Sequence, residues 1–151
     1  GASLKIGALI GGAQKEDADL LYDFGVNIGL GFQLKDDLLD TFGNEGVFGK
    51  KTGGDIITNK KTFLFIKALE IADNETKEEL LSLYNTSDID PDQKVKSTQA
   101  IFTKYKVDIL TGMEIDKNFI KGIESLDKIQ VASEKKMYLR EVAVKMIDRN
   151  K

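Results

Sequence analysis

Three aspartates in the first third of the chain are spaced as in a metal site. Asp40 follows Asp37 by three positions and Asp36 by four, so in a helix the three carboxylates share one face. Mutual repulsion, the low helix propensity of Asp and the negative end of the helix dipole all oppose such a cluster. A divalent cation would reverse these penalties. The pattern therefore favours metal binding, with a solvated acidic helix face as the alternative.

A segment rich in glycine and lysine follows these aspartates. It runs from Gly49 to Asp55 and continues through Asn59–Thr62. Glycine lets the backbone approach phosphate oxygens, and lysine supplies compact positive charge. We expect Asp55 to orient metal-bound water from outside the metal's own ligands. Alone, the segment fits a soluble mobile loop. Together with the aspartates it predicts a diphosphate site, with metal on one side and ammonium groups on the other.

Helical periodicity predicts the elements that position these residues. Apolar residues recur at helical spacing over about 15–42, which predicts a long helix that carries the aspartates and ends at Gly43. Within it, Gly25, Gly29 and Gly31 predict either close helix packing or space for a ligand. Strand-like alternation is nearly absent, so we expect an all-α fold in one domain. The other predicted helices cover 3–10, about 61–72, 75–83, 92–110, 117–129 and 133–149, with a loop over 43–59 and Ser133 as the N-cap of the last helix.

Composition excludes several kinds of chemistry. The 151 residues include no cysteine and no histidine, which removes thiolate and imidazole catalysis and most zinc sites. Any metal would be held by oxygen ligands, as Mg²⁺, Mn²⁺ and Ca²⁺ are. The formal charge of −3 comes without a basic stripe, so we expect no nucleic-acid partner. No stretch approaches the roughly 18 apolar residues of a membrane span, and without a signal peptide the cytoplasm is the expected location.

The motifs resemble those of the trans-isoprenyl diphosphate synthases, or polyprenyl synthetases. The segment Phe32–Asp40 is similar to the family's second aspartate-rich motif, F-Q-x-x-D-D-x-x-D. The segment Gly49–Ile56, followed by Lys60-x-Thr62, is similar to the family's G-K-x-x-G-x-D … K-x-T pattern. The ending 131–151 resembles its last helix and basic tail. Asn44 stands where the family usually has Asp, and the first aspartate-rich motif and a Lys-Thr pair are absent.

The resemblance spans essentially all 151 residues and implies the C-terminal half of a larger domain. The implied fold is an antiparallel all-α bundle of the isoprenoid synthase type, around a central cavity. The implied reaction is head-to-tail condensation of an allylic diphosphate with isopentenyl diphosphate, dependent on Mg²⁺ or Mn²⁺, in a homodimer. The apolar start Gly1–Ile10 reads like the interior of a buried helix. We therefore expect residues upstream, and no activity from this fragment alone.

The resemblance also implies roles for individual residues. Asp36 would be a direct Mg²⁺ ligand, and Asp37 and Asp40 would complete the cluster through metal or water. The substrate contacts would come from Lys50 and Lys60 on the allylic diphosphate, Gln33 with its carbonyl oxygen toward the carbocation, Phe32 on the isopentenyl side, and Arg149 in a tail that closes over the second diphosphate. For the tail, a frayed C-terminus is the alternative. Product length is not predicted, because in the family it depends largely on residues before the first aspartate motif.

Two other functions use the same fold or the same chemistry. One is a non-catalytic partner subunit of a synthase, against which the intact aspartates and lysines argue. The other is a class I terpene cyclase, which also binds diphosphate through Mg²⁺. The Phe32-Gln33 pair and the paired lysine pattern favour the synthase.

Overall fold

The computed structural model describes residues 1–43, 52–86 and 88–148. None of these residues lies in a strand, which confirms the predicted all-α class for the part described. No helix there is both long enough and apolar enough to cross a membrane. Lys50 and Arg149 lie outside the described residues. The described helices are α1 (Ala2–Ile10), α2 (Lys15–Phe42), α3 (Gly54–Ile57), α4 (Phe63–Ile71), α5 (Asn74–Asn85), α6 (Pro91–Lys104), α7 (Val107–Lys128) and α8 (Ser133–Ile147).

The chain divides into two compact units. The first combines Gly1–Gln33 with Glu114–Lys151, and the second is Leu34–Met113. The long helices α2 and α7 each contribute residues to both units.

Small residues allow close helix packing in the first unit. A Cβ added at Gly25 would lie 2.8 Å from the Cα of Gly1, and one at Gly31 would lie 3.1 Å from the ring of Phe119. The first distance is too short for a Cβ, and the second would require the Phe119 ring to shift by a few tenths of an ångström, so both glycines serve close packing. A Cβ at Gly29 would meet no atom within 4 Å. Close packing therefore explains two of the three glycines in α2.

A hydrophobic core in the second unit holds the end of α2. Leu38 and Phe42 of α2 pack against this core, which fixes the helix turns that carry Asp37 and Asp40. Full burial of such side chains contributes about 1.5–3 kcal/mol each, and the partial burial of these two contributes less. The buried core residues are Ile56, Leu64, Phe65, Ala68, Leu80, Tyr84, Val95, Ile101, Phe102 and Val107.

Polar side chains cap the N-termini of three helices in this unit. Thr62 caps α4, Asp73 caps α5 through the backbone N–H of Thr76, and Asp90 caps α6 ahead of Pro91. Each side-chain oxygen satisfies a backbone N–H that has no partner within the helix. Proline suits the first helical position because its missing N–H is not needed there.

Three predicted boundaries are wrong. The break between the two helices after Pro91 falls at Tyr105–Lys106 rather than at 111–116, because Lys106 adopts a left-handed φ of 55°. Thr111 and the following glycine lie inside α7, where the buried Thr111 hydroxyl donates to the carbonyl of Val107. The predicted loop over 43–59 contains helix α3. Ser133 is the first residue of α8, whose N-cap is Ala132 without a side-chain hydrogen bond.

Candidate functional site

The last turns of α2 place the predicted metal-binding aspartates in different environments. Asp37 is buried, with 6% of its surface exposed, whereas Asp36 and Asp40 are half-buried. Asp37 accepts a hydrogen bond from the ammonium of Lys60, whose Nζ lies 2.9 Å from Asp37 Oδ1. Two residues to which the family resemblance assigned roles at one diphosphate group are therefore in direct contact.

Asp40 fastens the segment 53–55 to the end of α2. Its Oδ2 accepts the backbone N–H of Asp55 at 2.8 Å, and its main-chain oxygen accepts the N–H of Gly53 at 2.6 Å. Gly53 has a left-handed φ of 88°, and a Cβ there would lie 2.5 Å from Val95 Cγ2. Backbone conformation and space thus both require glycine at this turn. Asp40 acts here as an anchor for the chain that follows.

Lys60 joins two carboxylates from different elements. Its Nζ lies 2.7 Å from Asp55 Oδ2, in addition to its contact with Asp37. These hydrogen bonds, the one with Asp55 first, raise the pKa of Lys60 above its usual range, so the side chain is an ammonium at neutral pH. The side chain remains 46% exposed. Lys60 is held in a fixed direction while part of its surface stays open to solvent.

A second lysine, Lys94 of α6, contacts the residue that precedes Lys60 and was missed by sequence reasoning. It is only 5% exposed, and its ammonium donates to Oδ1 of Asn59, the residue before Lys60. The same Nζ lies 5.3 Å from the centre of the Tyr84 ring. Burial lowers the pKa of Lys94. Burial, together with the negative charge of Asp55, raises the pKa of Tyr84 above its usual range.

One sequence signal could have drawn attention to Lys94. Val95, Thr98, Ile101 and Phe102 form the buried face of α6, and Lys94 precedes Thr98 by one helical turn. A lysine on an apolar helix face is unusual and indicates a specific partner.

Helix α6 also holds the end of α2 directly. The Gln99 side chain donates to the main-chain oxygen of Thr41 at 2.6 Å, and the buried Thr41 hydroxyl donates to the main-chain oxygen of Asp37. The bond from Gln99 satisfies a carbonyl of the last helical turn, which has no partner within the helix, and the Thr41 hydroxyl adds a bond one turn earlier. They fix the backbone from which the site aspartates project.

The remaining predicted site residues lie in the first unit or outside the described residues. Phe32 and Gln33 lie on α2 within the first unit, the former half-buried and the latter exposed. Lys50 and Arg149 belong to the parts of the chain that the structure does not describe. Across 1–43, 52–86 and 88–148, no group of three or more acidic side chains stands close enough to hold a metal ion by itself.

The donor set nevertheless fits Mg²⁺ bound together with a diphosphate. Mg²⁺ usually keeps several waters and takes one or two carboxylates plus phosphate oxygens, so it needs no protein cage of three carboxylates. Asp37 and Asp40 are engaged with Lys60 and the Asp55 N–H. The side chains of Asp36, Asp37, Asp40 and Asp55 offer only oxygen donors, which Mg²⁺ prefers. The exposed part of the Lys60 ammonium beside them can bind the diphosphate.

Comparison with known proteins identifies the class to which this fold and site belong. Residues 1–102 match the family model of the polyprenyl synthetases. The chain is 35% identical over 133 residues to a geranylgeranyl diphosphate synthase of Sulfolobus acidocaldarius, covering 88% of this chain and 40% of that protein. It is 33% identical over 149 residues to one of Methanosarcina mazei, covering 98% and 43%. The chain therefore belongs to the polyprenyl synthetase family.

Solved structures agree with this assignment. The crystal structure of geranylgeranyl pyrophosphate synthetase from Pyrococcus horikoshii Ot3 matches with a TM-score of 0.88 at 29% identity, covering 98% of this chain and 44% of that one. A second geranylgeranyl pyrophosphate synthase matches with a TM-score of 0.82 at 33% identity, covering 96% and 45%. The predicted isoprenoid synthase fold is confirmed. The chain spans less than half the length of the relatives it matches.

Proposed function

We propose that this chain is the C-terminal half of an isoprenyl diphosphate synthase domain. The whole protein would be a prenyltransferase that joins an allylic diphosphate head to tail with isopentenyl diphosphate. The observation that carries the proposal is the contact of Lys60 with Asp37 and Asp55, which joins the two predicted motifs. The matched relatives named geranylgeranyl diphosphate synthase support the same reaction class.

The chemistry requires positive charge at the departing group. Loss of diphosphate from the allylic substrate leaves a carbocation and builds negative charge on the leaving oxygens. Bound Mg²⁺ supplies positive charge to those oxygens and lowers the barrier. Lys60, kept as an ammonium by its two carboxylate partners, binds the same diphosphate through its exposed side. Lys50 binds it from the preceding segment.

The aspartates divide the work in this proposal. Asp36 would bind Mg²⁺ directly, and Asp37 and Asp40 would complete the site through metal or water, in addition to their contacts with Lys60 and the Asp55 N–H. Asp55 would orient water on the metal while it holds Lys60. Gln33 turns its carbonyl oxygen toward the carbocation, Phe32 lines the isopentenyl side, and Arg149 closes over the second diphosphate. The released diphosphate can accept the final proton, which fits a chain without histidine.

We further propose a homodimer in the cytoplasm that uses Mg²⁺, with Mn²⁺ as a substitute. The metal preference follows from a donor set made only of oxygen atoms.

Condensation assays test the proposal. This chain alone, mixed with isopentenyl and dimethylallyl diphosphates and Mg²⁺, should give no product, because the first aspartate-rich motif is absent from it. A chain that also carries the upstream half of the domain should make longer prenyl diphosphates. Turnover by the 151 residues alone would contradict the assignment to half a domain. Cyclic hydrocarbons formed from one allylic diphosphate without isopentenyl diphosphate would indicate a terpene cyclase.

A further inference from the structure

Lys94 is a buried cation for which the proposed reaction has no direct use. Within the described residues no carboxylate forms an ion pair with it, although it is 5% exposed. A buried ammonium without a counter-ion is costly, and such violations of local rules concentrate at functional sites. Its contacts are the side-chain oxygen of Asn59 and the face of the Tyr84 ring.

Asn59 forms the turn that directs Lys60 back toward the aspartates. Its φ of 58° lies in the left-handed region, and its N–H donates to the carbonyl of Ile56 at 3.1 Å. The next N–H, that of Lys60, donates to the carbonyl of Asp55 at 2.9 Å. Asn adopts this conformation more readily than most residues other than Gly. A fixed side chain at Asn59 thus fixes the backbone immediately before Lys60.

The Tyr84 ring is the second contact of the Lys94 ammonium. Tyr84 is itself buried and packs on Phe65, with ring centres 4.2 Å apart. An aromatic face attracts a cation, and the attraction is stronger where water is excluded. Val95, the neighbour of Lys94, contacts Gly53 at the start of the same segment. Helix α6 therefore supports both ends of the stretch from Gly53 to Lys60.

We propose that Lys94 is a positioning residue for the diphosphate site: by holding the Asn59 side chain, it sets the direction of Lys60. The inference rests on the proposed function, because Lys60 has a ligand to bind only if the site takes a diphosphate. Lys94 itself contacts no substrate. It acts through Asn59 on the ammonium of Lys60, which binds the diphosphate.

Calorimetric binding of Mg²⁺ with inorganic pyrophosphate to the 151-residue chain tests this. Lys94→Met keeps the length of the side chain and removes the charge. It should weaken binding about tenfold, as loss of a residue that orients a ligand group does. Lys96→Met, an exposed lysine on the same helix, is the matched control and should leave binding unchanged. Equal affinities for Lys94→Met and Lys96→Met would overturn the proposal.

A double-mutant cycle tests the route through Asn59. Asn59→Gly accepts the left-handed conformation without strain but removes the oxygen that Lys94 contacts. It should weaken pyrophosphate binding as Lys94→Met does, and it serves as the second variant if Lys94→Met does not fold. Lys94→Met should then add no further loss in the Asn59→Gly background. Additive losses would show that Lys94 acts by another route and would overturn the proposal.

Lys60→Met separates this inference from the proposed function. If Lys60→Met abolishes pyrophosphate binding and Lys94→Met leaves it intact, the positioning role is wrong and the diphosphate site stands. If Lys60→Met also leaves binding intact, the diphosphate site itself is wrong. Each variant should show a cooperative thermal unfolding transition without ligand, which establishes that it is folded before its binding is compared.

Discussion

Two clusters in the second unit show how differently aspartate can be used. The first, the site cluster, consists of Asp36, Asp37, Asp40, Asp55 and Lys60. The second, the cap cluster, consists of Asp73, Thr76, Lys104 and Tyr105. In the cap cluster one carboxylate accepts the N–H of Thr76 at 2.8 Å and the hydroxyl of Tyr105, with Lys104 Nζ at 3.8 Å. In the site cluster two carboxylates share one ammonium.

The two clusters differ in what their carboxylates hold. The Tyr105 hydroxyl, followed by the Thr76 hydrogen bonds, lowers the pKa of Asp73 to about 2. That carboxylate holds the first turn of α5 through the Thr76 N–H. In the site cluster the carboxylates of Asp37 and Asp55, from two different elements, hold the ammonium of Lys60, whose side chain stays 46% exposed. The site cluster therefore presents a positioned charge to solvent, whereas the cap cluster stabilises a helix end.

The largest expected effect comes from removing one carboxylate from the site cluster. In a chain that carries the whole domain, Asp36→Ala should lower the turnover number at least about a hundredfold, because charge on the leaving diphosphate is no longer neutralised. Steady-state condensation kinetics at saturating Mg²⁺ measure this. Asp73→Ala in the cap cluster should leave the turnover number within about twofold, provided the variant is folded.

The comparison would fail in either of two ways. A near-normal rate for Asp36→Ala would remove the metal-ligand assignment. An equal loss of turnover in folded Asp73→Ala would show that the two clusters are not functionally distinct.

An effect of intermediate size is expected on the free energy of unfolding in acid, and it is due to Asp73 of the cap cluster. The folded-state pKa of Asp73 is about 2, below its ordinary value of 3.8, so its contribution is present above about pH 4. That contribution is lost as the pH falls through 2, because the unfolded chain then binds the proton more readily. Asp73→Asn should therefore show a weaker loss of stability between pH 4 and 2. Urea unfolding across this range measures it.

Tyr105→Phe is a second variant that tests the same cause. It keeps the carboxylate of Asp73 but removes the hydrogen bond that lowers its pKa most. The acid sensitivity between pH 4 and 2 should fall in this variant too. An unchanged pH dependence in both variants would mean that the cap cluster does not stabilise the folded state through Asp73.

Sequence reasoning recovered what depends on local pattern. The helix over 15–42 was correct because its apolar residues repeat with the helical period and Gly43 follows its end. The relation of Asp37 to Lys60 could be expected because the resemblance placed both on one diphosphate. The order of the motifs along the chain thus predicted that these two residues lie close together, whereas the roles of the site residues stay predictions.

Sequence reasoning failed where distant residues decide the outcome. The turn at Tyr105–Lys106 coincides with a hydrogen bond from the Tyr105 hydroxyl to Asp73, 32 positions earlier. The partner of Lys94 is Asn59, 35 positions earlier. No local propensity reports such pairs, because each exists only after α6 has packed into the second unit. The position of Lys94 on an apolar helix face could be read from the sequence, but its partner could not be identified before the fold was known.

The smallest expected effect comes from a substitution in α6, the helix that contributes residues near both clusters. Helix α6 brings Lys94 to the site cluster and Lys104 to the cap cluster, with Thr98 between them. Thr98 is fully buried, and its hydroxyl is the buried side-chain polar atom that has no hydrogen-bond partner within the described residues. Thr98→Val removes that hydroxyl at similar shape and should raise the free energy of unfolding by about 1 kcal/mol. Urea unfolding measures the change.

Thr111→Val is the matched control for Thr98→Val, because it removes a buried hydroxyl that does have a partner. The Thr111 hydroxyl donates to the Val107 carbonyl at 2.7 Å, so this change should not stabilise the chain. Pyrophosphate binding and the acid sensitivity due to Asp73 should be unchanged in Thr98→Val, since the hydroxyl serves neither cluster. A clear loss of stability in Thr98→Val would show that the hydroxyl is satisfied after all. A loss of pyrophosphate binding would instead show that Thr98, like Lys94, helps to position the site cluster.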